Sequence, residues 1–290
     1  VTKMLIFGIL LGFAALILLI SYICYRIAFY APPRQPLPEG TIEIPEGEIY
    51  EVHREKMEGW VRQMWALPRE SFEITAFDGL KLYAKYYEYA PGAPIELMFH
   101  GYRGSAERDL SGGIERCFRV GRSALIVDQR CAGNSGGHVI TFGVKEHKDC
   151  LCWVEHMIRR FGPDVKIILT GISMGAATVL MAGGCPLPSN VIGILADCSF
   201  SSARDIIKTV IRQMGIPAEL GYPFVKLGAK LFGHFDLEET SPIEAIKQAK
   251  KPLILLHGDE DDFVPCAMSE EIFAAATTND KKFLIFEGAG

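Results

Sequence analysis

The chain has 290 residues, enough for one large catalytic domain with additional segments. Hydrophobic residues make up 49% of the chain and charged residues 22%, as in an ordinary globular protein with a sizeable core. The formal net charge of −5 comes without a basic stripe, which argues against nucleic acid as a partner.

An uncharged apolar segment opens the sequence. It runs for 22 residues from Met4 to Tyr25 and is bracketed by Lys3 and Arg26. At about 1.5 Å per residue, a helix of this length matches the roughly 30 Å hydrocarbon core of a bilayer. A buried core helix and a cleaved signal peptide are the alternatives. A core helix is rarely apolar all round for so long, and the apolar region of a signal peptide is typically about 7–15 residues long. We therefore expect residues 1–26 to be the transmembrane anchor of a single-pass cell-membrane protein, whose orientation the flanking charges leave open.

Between this segment and residue 70 the pattern changes twice. Residues 31–38 are rich in proline and predict an extended linker. Residues 48–66 show amphipathic spacing and predict a helix that ends before Pro68 and packs on the following domain.

From residue 71 onward, strand patterns alternate with helix patterns such as 143–161, 174–184 and 266–276. The first two strands form a predicted hairpin around Asp78-Gly79. The later strands are almost continuously apolar, which is typical of a parallel sheet buried on both faces. The sequence thus predicts an α/β domain over 71–290, with a mostly parallel sheet and helices on both faces. The predicted strands are 71–76, 80–87, 95–99, 124–127, 166–170, 191–196, 252–256 and 282–286.

The interval 199–251 is too long for a single crossover. It contains two predicted breaks, Gly215-Ile-Pro217 and Gly221-Tyr-Pro223. We expect it to form a small helical cap over the carboxyl ends of the strands, where ligands bind in open α/β sheets.

The segment Gly171-Ile-Ser173-Met-Gly175 matches the pattern G-x-S-x-G between a predicted strand and a predicted helix. This context is typical of a nucleophile elbow, in which a serine is exposed on a tight strand-to-helix turn. Ser173 is therefore the predicted nucleophile, and the N–H of Met174 is a predicted oxyanion donor. Gly133-Asn-Ser135-Gly-Gly137 matches the same pattern, but no helix begins there, so we expect Ser135 to lie in a structural loop.

Two further segments follow strand ends. His100-Gly101-Tyr102 comes after the strand ending at Phe99, where a second oxyanion donor is expected, and the Tyr102 N–H is the candidate. Four acidic residues occupy 259–262 after the next-to-last strand, where a carboxylate that orients a catalytic histidine is expected. Asp197 is the alternative acid. If Asp197 is not catalytic, we expect it to cap the next helix together with Ser199.

Together these segments resemble the α/β-hydrolase superfamily, in particular bacterial membrane-anchored serine hydrolases of the serine aminopeptidase-like or BEM46-like kind. The resemblance covers about residues 71–290. It also includes Asp128-Gln-Arg130 and His257-Gly258-x-x-Asp261-x-x-Val264-Pro265. It implies that Asp261 is the acid of a catalytic triad, rather than any of its acidic neighbours.

The resemblance also implies a histidine in a glycine-rich turn after the last strand. The sequence reaches Gly288-Ala-Gly290 there without one, and we expect the natural protein to be longer. His138, His234 and His257 are weaker alternatives for the general base. The seven histidines are at positions 53, 100, 138, 147, 156, 234 and 257.

The leading hypothesis is a serine hydrolase that cleaves an ester, thioester or amide bond through an acyl-enzyme at Ser173. A non-catalytic binding module, a peptidase and a transacylase on the same scaffold remain alternatives. Neither a metal nor an organic cofactor is implied, and the eight cysteines show no zinc spacing. The predicted partners are a small-molecule or lipid-like acyl substrate and, through the N-terminal helix, the membrane.

Overall fold

The computed structural model describes residues 2–32 and 40–290. Within these residues, eight strands form one sheet in the order β1-β2-β4-β3-β5-β6-β7-β8. The strands are β1 (Glu70–Thr75), β2 (Lys81–Tyr87), β3 (Ile95–Phe99), β4 (Ser123–Asp128), β5 (Ile167–Ile172), β6 (Val191–Asp197), β7 (Leu253–Gly258) and β8 (Lys281–Phe286).

The sheet is antiparallel only at one edge. Strand β2 pairs antiparallel with both β1 and β4, whereas every other neighbouring pair of strands is parallel. Strands β3 and β4 are buried along their whole length, as expected for strands covered on both faces. The predicted α/β fold with a mostly parallel sheet is confirmed.

Helices cover both faces because successive side chains of a strand point in opposite directions. Leu97 and Leu125 belong to the core cluster shared with α5 and α6, whereas Met98 and Ile126 belong to the cluster shared with α3 and α4. The helices are α1 (Thr2–Ala28), α2 (Glu48–Glu51), α3 (Arg54–Ala66), α4 (Ala106–Arg119), α5 (Glu146–Phe161), α6 (Met174–Gly183), α7 (Ala203–Gln213), α8 (Ala218–Leu231), α9 (Pro242–Ala245) and α10 (Cys266–Ala275), with a 3-10 turn at Ile246–Gln248.

The single helix predicted over 48–66 is wrong, because the chain turns at Val52 and His53 and forms two helices, α2 and α3. Ile49 and Val52 are exposed, so the first helix has no apolar face whose packing would hold it in line with the second. Helix α3 packs on α4, where Trp60 covers Gly112 so closely that a methyl group there would overlap the indole ring.

Helices α7 and α8, here called the cap helices, lie between β6 and β7 and pack on each other. The predicted break at Gly215 is present, since Gly215 has φ 77° between the two helices. The predicted break at Gly221-Tyr-Pro223 is wrong, because α8 continues through it. Burial of Tyr222 and Val225 outweighs the one backbone hydrogen bond that Pro223 removes.

Helix α1 is long and apolar enough to cross a membrane, with a mean hydropathy of 2.8, and is the only such helix in the described part of the chain. Residues 2–16 are exposed, whereas Ser21 and Tyr25 are buried in the contact with α8. The contact is close because Gly228 of α8 faces Ser21: a methyl group on Gly228 would overlap the Ser21 carbonyl oxygen. The predicted linker at 31–38 falls mostly outside the described residues.

We expect Gly228→Ala to lower the stability of the protein. The added methyl group overpacks the α1–α8 contact, which costs about 1–3 kcal/mol, and outweighs the gain in helix propensity of up to about 1 kcal/mol. The readout is the thermal unfolding midpoint in detergent micelles. Gly12→Ala is the matched control, because nothing lies within 4 Å of the added methyl group; equal midpoints for the two variants would contradict the packing argument.

Candidate functional site

Ser173 lies between the end of β5 and the start of α6, in the strand-to-helix turn that the sequence predicts. Its backbone has φ 54° and ψ −115°, a conformation that is strained for a residue with a side chain. Its N–H donates to the Asp197 carbonyl oxygen at 2.8 Å, and its side chain is half-buried. The turn therefore holds a serine hydroxyl at the carboxyl edge of the sheet.

The two glycines beside Ser173 are required by close backbone approach. A methyl group on Gly171 would overlap the carbonyl group of Gly175, and one on Gly175 would overlap the carbonyl group of Phe99. The G-x-S-x-G pattern is thus a packing requirement of the turn between β5, α6 and the end of β3.

The two predicted oxyanion donors flank Ser173. Met174 is the first residue of α6, so its N–H has no partner within the helix. Tyr102 follows β3 in the turn 100–104, and a methyl group on Gly101 would lie 3.7 Å from the Ser173 Cβ. The turn that carries Tyr102 is therefore adjacent to the predicted nucleophile.

The turn at 100–104, here called the oxyanion loop, is held from two sides. On one side the Asp109 carboxylate accepts the Gly101 N–H at 3.0 Å. On the other side the loop binds the carboxyl end of α1: the Tyr102 hydroxyl donates to the Ala28 carbonyl oxygen at 2.8 Å, and the Arg103 guanidinium donates to the Ile27 carbonyl oxygen at 2.9 Å. These contacts satisfy carbonyl groups that the helix end leaves unpaired.

A buried polar layer lies beneath the loop. Gln129 donates its side-chain amide to the His100 carbonyl oxygen at 2.6 Å, and its N–H donates to Nε2 of His100 at 3.1 Å. Burial lowers the pKa of His100, so the ring is neutral and donates from Nδ1 to the Gly101 carbonyl oxygen at 2.8 Å. Thr178 of α6 completes the layer by donating to Gln129 at 3.2 Å. His100 is thus a structural residue.

Arg130 is the next residue of the same segment and is buried. Its guanidinium makes a bidentate contact with Asp149, with both distances 2.7 Å, and donates to Asp78 at 2.9 Å. These bonds tie the end of β4 to α5 and to the turn of the β1–β2 hairpin, so this part of the motif supports the fold rather than the chemistry.

Ser135, the serine of the second G-x-S-x-G match, is engaged on both sides by backbone groups. Its hydroxyl donates to the Asp128 carbonyl oxygen at 2.6 Å and accepts the Tyr83 N–H at 2.9 Å. It holds a loop against β2, as a structural serine does.

Asp261 lies in the loop after β7 and is half-buried. Its carboxylate accepts the N–H groups of Phe263 and Val264 at 2.9 and 2.8 Å and lies 3.5 Å from Nε2 of His257. Burial raises the pKa of Asp261, but the His257 contact and the two N–H groups outweigh it and hold the pKa below its usual value. The carboxylate is therefore ionised at neutral pH.

His257 is fully buried and supports this loop. Its ring nitrogens contact the Ser269 hydroxyl and the Val264 carbonyl oxygen, both at 2.7 Å. Burial lowers the pKa of His257, but the contacts with Asp261 and Val264 outweigh it, so the pKa lies above its usual value. None of the histidines within residues 2–32 and 40–290 lines the cavity that contains Ser173.

Asp197, the alternative acid, is half-buried at the end of β6, and burial raises its pKa. The predicted capping role of Asp197 with Ser199 is wrong. Ser202 caps α7 by accepting the Asp205 N–H, because the chain runs several residues beyond the strand before the helix begins.

An apolar cavity of about 420 Å³ opens above Ser173. Its floor includes Ser173 and Tyr102, and its walls come from the cap helices, from the Asp261 loop and from the end of α1. Arg103 is the one charged residue among the described residues that line it. A cavity of this size and character suits a small apolar ligand.

Comparison with known proteins identifies the family of the chain and agrees with its fold. Residues 141–289, a little over half of the chain, match the prolyl oligopeptidase family. The chain belongs to this family. Among solved structures, the esterase Pf2001 of Pyrococcus furiosus superposes with a TM-score of 0.65 at 20% identity, over 89% of each chain. A puromycin-hydrolyzing peptidase of Mycobacterium tuberculosis superposes with a TM-score of 0.59 at 18% identity, over 77% of this chain and 36% of that one.

Two further proteins are more similar in sequence to this prolyl oligopeptidase-family protein than the two solved structures are. The uncharacterized protein YqkD of Bacillus subtilis is 28% identical over 155 residues, which are 53% of this chain and 51% of the relative. Protein bem46 of Schizosaccharomyces pombe is 26% identical over 197 residues, which are 67% of this chain and 60% of the relative. The matches thus span between half and three fifths of these relatives. The predicted membership of the α/β-hydrolase superfamily is confirmed. The fold and the family of the chain are those of hydrolases.

Sequence reasoning missed the contribution of α1 to the site. Cys24, Ile27 and Ala28 of α1 line the cavity, although their sequence pattern predicts only an apolar helix. No local signal indicates this contribution, since it depends on where a distant segment packs.

We expect Ser173→Gly to stabilise this family member by about 1 kcal/mol, because glycine adopts the strained backbone of the turn without a steric penalty. The free energy of unfolding is measured by urea titration in micelles. Ser173→Ala is the matched control, since it removes the hydroxyl group but keeps the strain. If the glycine variant is no more stable than the alanine variant, the backbone at Ser173 is not strained.

Proposed function

We propose that the protein is a serine hydrolase that cleaves an ester, thioester or amide bond through an acyl-enzyme at Ser173. The observation that carries the proposal is the strained turn at Ser173, which opens into an apolar cavity beside the oxyanion loop. A structural serine such as Ser135 has its hydroxyl engaged by backbone groups on both sides, whereas Ser173 lines the cavity.

The chemistry follows from this arrangement. The Ser173 oxygen attacks the carbonyl carbon of the substrate, and its proton passes through a general base to the leaving alcohol, thiol or amine. Negative charge on the carbonyl oxygen is stabilised by the N–H groups of Met174 and Tyr102 and by the amino end of α6. Water then attacks the acyl-enzyme and releases the carboxylic acid. The reaction needs no cofactor.

Asp261 is the proposed orienting acid, which holds the general base and stabilises its charged form. The turn at 288–290 lies against the Asp261 loop: Glu260 donates its N–H to the Ala289 carbonyl oxygen at 2.9 Å, and Asp259 accepts the Gly288 N–H at 2.7 Å. The turn in which the family resemblance implies the general base therefore lies beside the proposed acid.

Helix α1 is the proposed membrane anchor of a single-pass cell-membrane protein. Its mean hydropathy and the exposure of residues 2–16 support this role. Burial of Ser21 and Tyr25 on the cap helix α8 argues against removal as a signal peptide, because removal would expose that apolar surface. The proposed substrate is a small-molecule or lipid-like acyl compound.

Fluorophosphonate labelling tests the nucleophile. We expect the protein, expressed in its natural reading frame with any residues that follow Gly290, to be labelled because Ser173 is activated. Ser173→Ala should abolish labelling, which is read by in-gel fluorescence and by mass spectrometry of the labelled peptide.

Ser135→Ala is the matched control and should retain labelling, since it changes the other G-x-S-x-G serine. Absence of labelling in a folded protein would contradict the hydrolase and leave a non-catalytic binding module as the better account.

We expect Asp261→Asn to lower kcat for a reporter ester by a factor on the order of 10⁴, as loss of the orienting carboxylate does in serine hydrolases. Its KM should change little, because Asp261 does not contact the acyl group. Steady-state kinetics measure both constants. The matched control is Asp262→Asn, one residue away on an exposed side chain; an equal loss in the two variants would assign the effect to the loop rather than to the acid.

A peptidase is the second candidate, because the chain belongs to the prolyl oligopeptidase family. Aminoacyl amides and acyl esters with the same reporter group distinguish the two. Faster cleavage of the amides would favour the peptidase.

A further inference from the structure

The end of helix α1 is a wall of the cavity above Ser173. Cys24, Ile27 and Ala28 face the cavity from one side, and the cap helices face it from the other. The same end of α1 binds the oxyanion loop through the carbonyl groups of Ile27 and Ala28. The segment predicted as a membrane anchor is thus built into the cavity wall and into the loop beside the nucleophile.

The mouth of the cavity is apolar and exposed. Four large residues both line the cavity and are open to solvent: Ile27 is 62% exposed, Met214 61%, Phe263 53% and Ile216 44%. They come from α1, from the connection between the cap helices and from the Asp261 loop. A cluster of exposed apolar side chains around a cavity mouth marks a surface that contacts a membrane or an apolar ligand.

The length of the uncharged run in α1 predicts how deep the cavity mouth lies in a bilayer. The uncharged run from Met4 to Tyr25 matches the hydrocarbon thickness. With α1 across a bilayer as proposed, its last residues would lie at the boundary between hydrocarbon and headgroups. Aromatic residues cluster at this level, as they do at membrane interfaces: Tyr22 packs edge-on against Phe232 of the cap at 5.2 Å. Arg26 follows, with its guanidinium 4.2 Å from the centre of the Tyr30 ring.

We propose that the substrate is an acyl ester of a membrane lipid, which enters from the bilayer alongside α1. Its acyl chain occupies the apolar cavity between α1 and the cap helices, and its ester carbonyl lies at Ser173. This inference rests on the proposed function and narrows its substrate class. Ser173 cleaves the ester bond and retains the acyl group, the lipid alcohol leaves with the serine proton, and water releases the fatty acid.

The test compares chain lengths in a variant that fills the cavity from α1. Cys24→Trp places an indole on the cavity wall and should lower kcat/KM for a decanoyl ester by about tenfold or more, through lost burial of the acyl chain. Cleavage of the acetyl ester of the same reporter alcohol should fall by less, because its acyl group is shorter, so the ratio of decanoyl to acetyl kcat/KM decreases. Ile23→Trp is the matched control, since Ile23 is adjacent but exposed on the outer face of α1.

Fluorophosphonate labelling separates the possible failures. If the unsubstituted protein is not labelled, the proposed function itself fails. If Cys24→Trp is labelled normally and cleaves the decanoyl ester as the unsubstituted protein does, the acyl cavity is overturned. If Cys24→Trp loses labelling, Val210→Trp on the opposite wall replaces it, and an unchanged chain-length preference in that variant overturns the inference.

The bilayer source is tested with the protein reconstituted in phosphatidylcholine vesicles. A fluorogenic long-chain ester is supplied either in the same bilayer or in separate vesicles that do not fuse with the first. Cleavage confined to the shared bilayer is the expected result. Equal rates from both sources would overturn entry from the membrane.

Discussion

The close approach of three backbone segments at Ser173 is the constraint on which the site depends. Gly175 touches the end of β3, and Gly171 touches Gly175. This contact fixes the angle between β5 and α6 and leaves Ser173 in a strained conformation that only the surrounding structure can hold. Because β3 continues directly into the oxyanion loop, the same contact sets the position of that loop relative to Ser173.

The polar residues beneath this contact convert a tight turn into a rigid one. Gln129 reaches the oxyanion loop through His100 and reaches α6 through Thr178, all of them buried. A buried polar network is stable only when each member is satisfied, so changes in one member are felt by the others. Gln129 thus acts on the site by positioning the oxyanion loop and does not line the cavity.

Most of the fold could be predicted from the sequence, because the strands and the elbow are each specified by residues adjacent in the chain. The apolar runs predicted every strand to within about two residues of its observed ends, and the elbow was recognisable from five residues in a strand–helix context. The helix through Pro223 and the division at Val52 could not be predicted. In both places tertiary packing, or its lack, decided against the local preference.

The candidate site also contains residues that the sequence predicts and a contribution that it does not. Ser173, Met174, Tyr102 and Asp261 each follow a strand end, and parallel strands bring their carboxyl ends to one edge of the sheet. The contribution of α1 lies more than a hundred residues from Ser173 and has no motif. It depends on a contact between a glycine of α8 and a serine of α1, which no spacing rule connects.

The docking of α1 over its last two turns has a mechanical consequence. A membrane helix joined to its domain by a loose linker tilts independently of the domain. Helix α1 packs on α8, so α1 and the domain move together as one rigid unit. In a thinner bilayer a spanning helix increases its tilt to keep its apolar length covered. With α1 across a bilayer, that tilt would rotate the whole domain, and the thickness of the lipid layer would set how deeply the cavity above Ser173 is immersed.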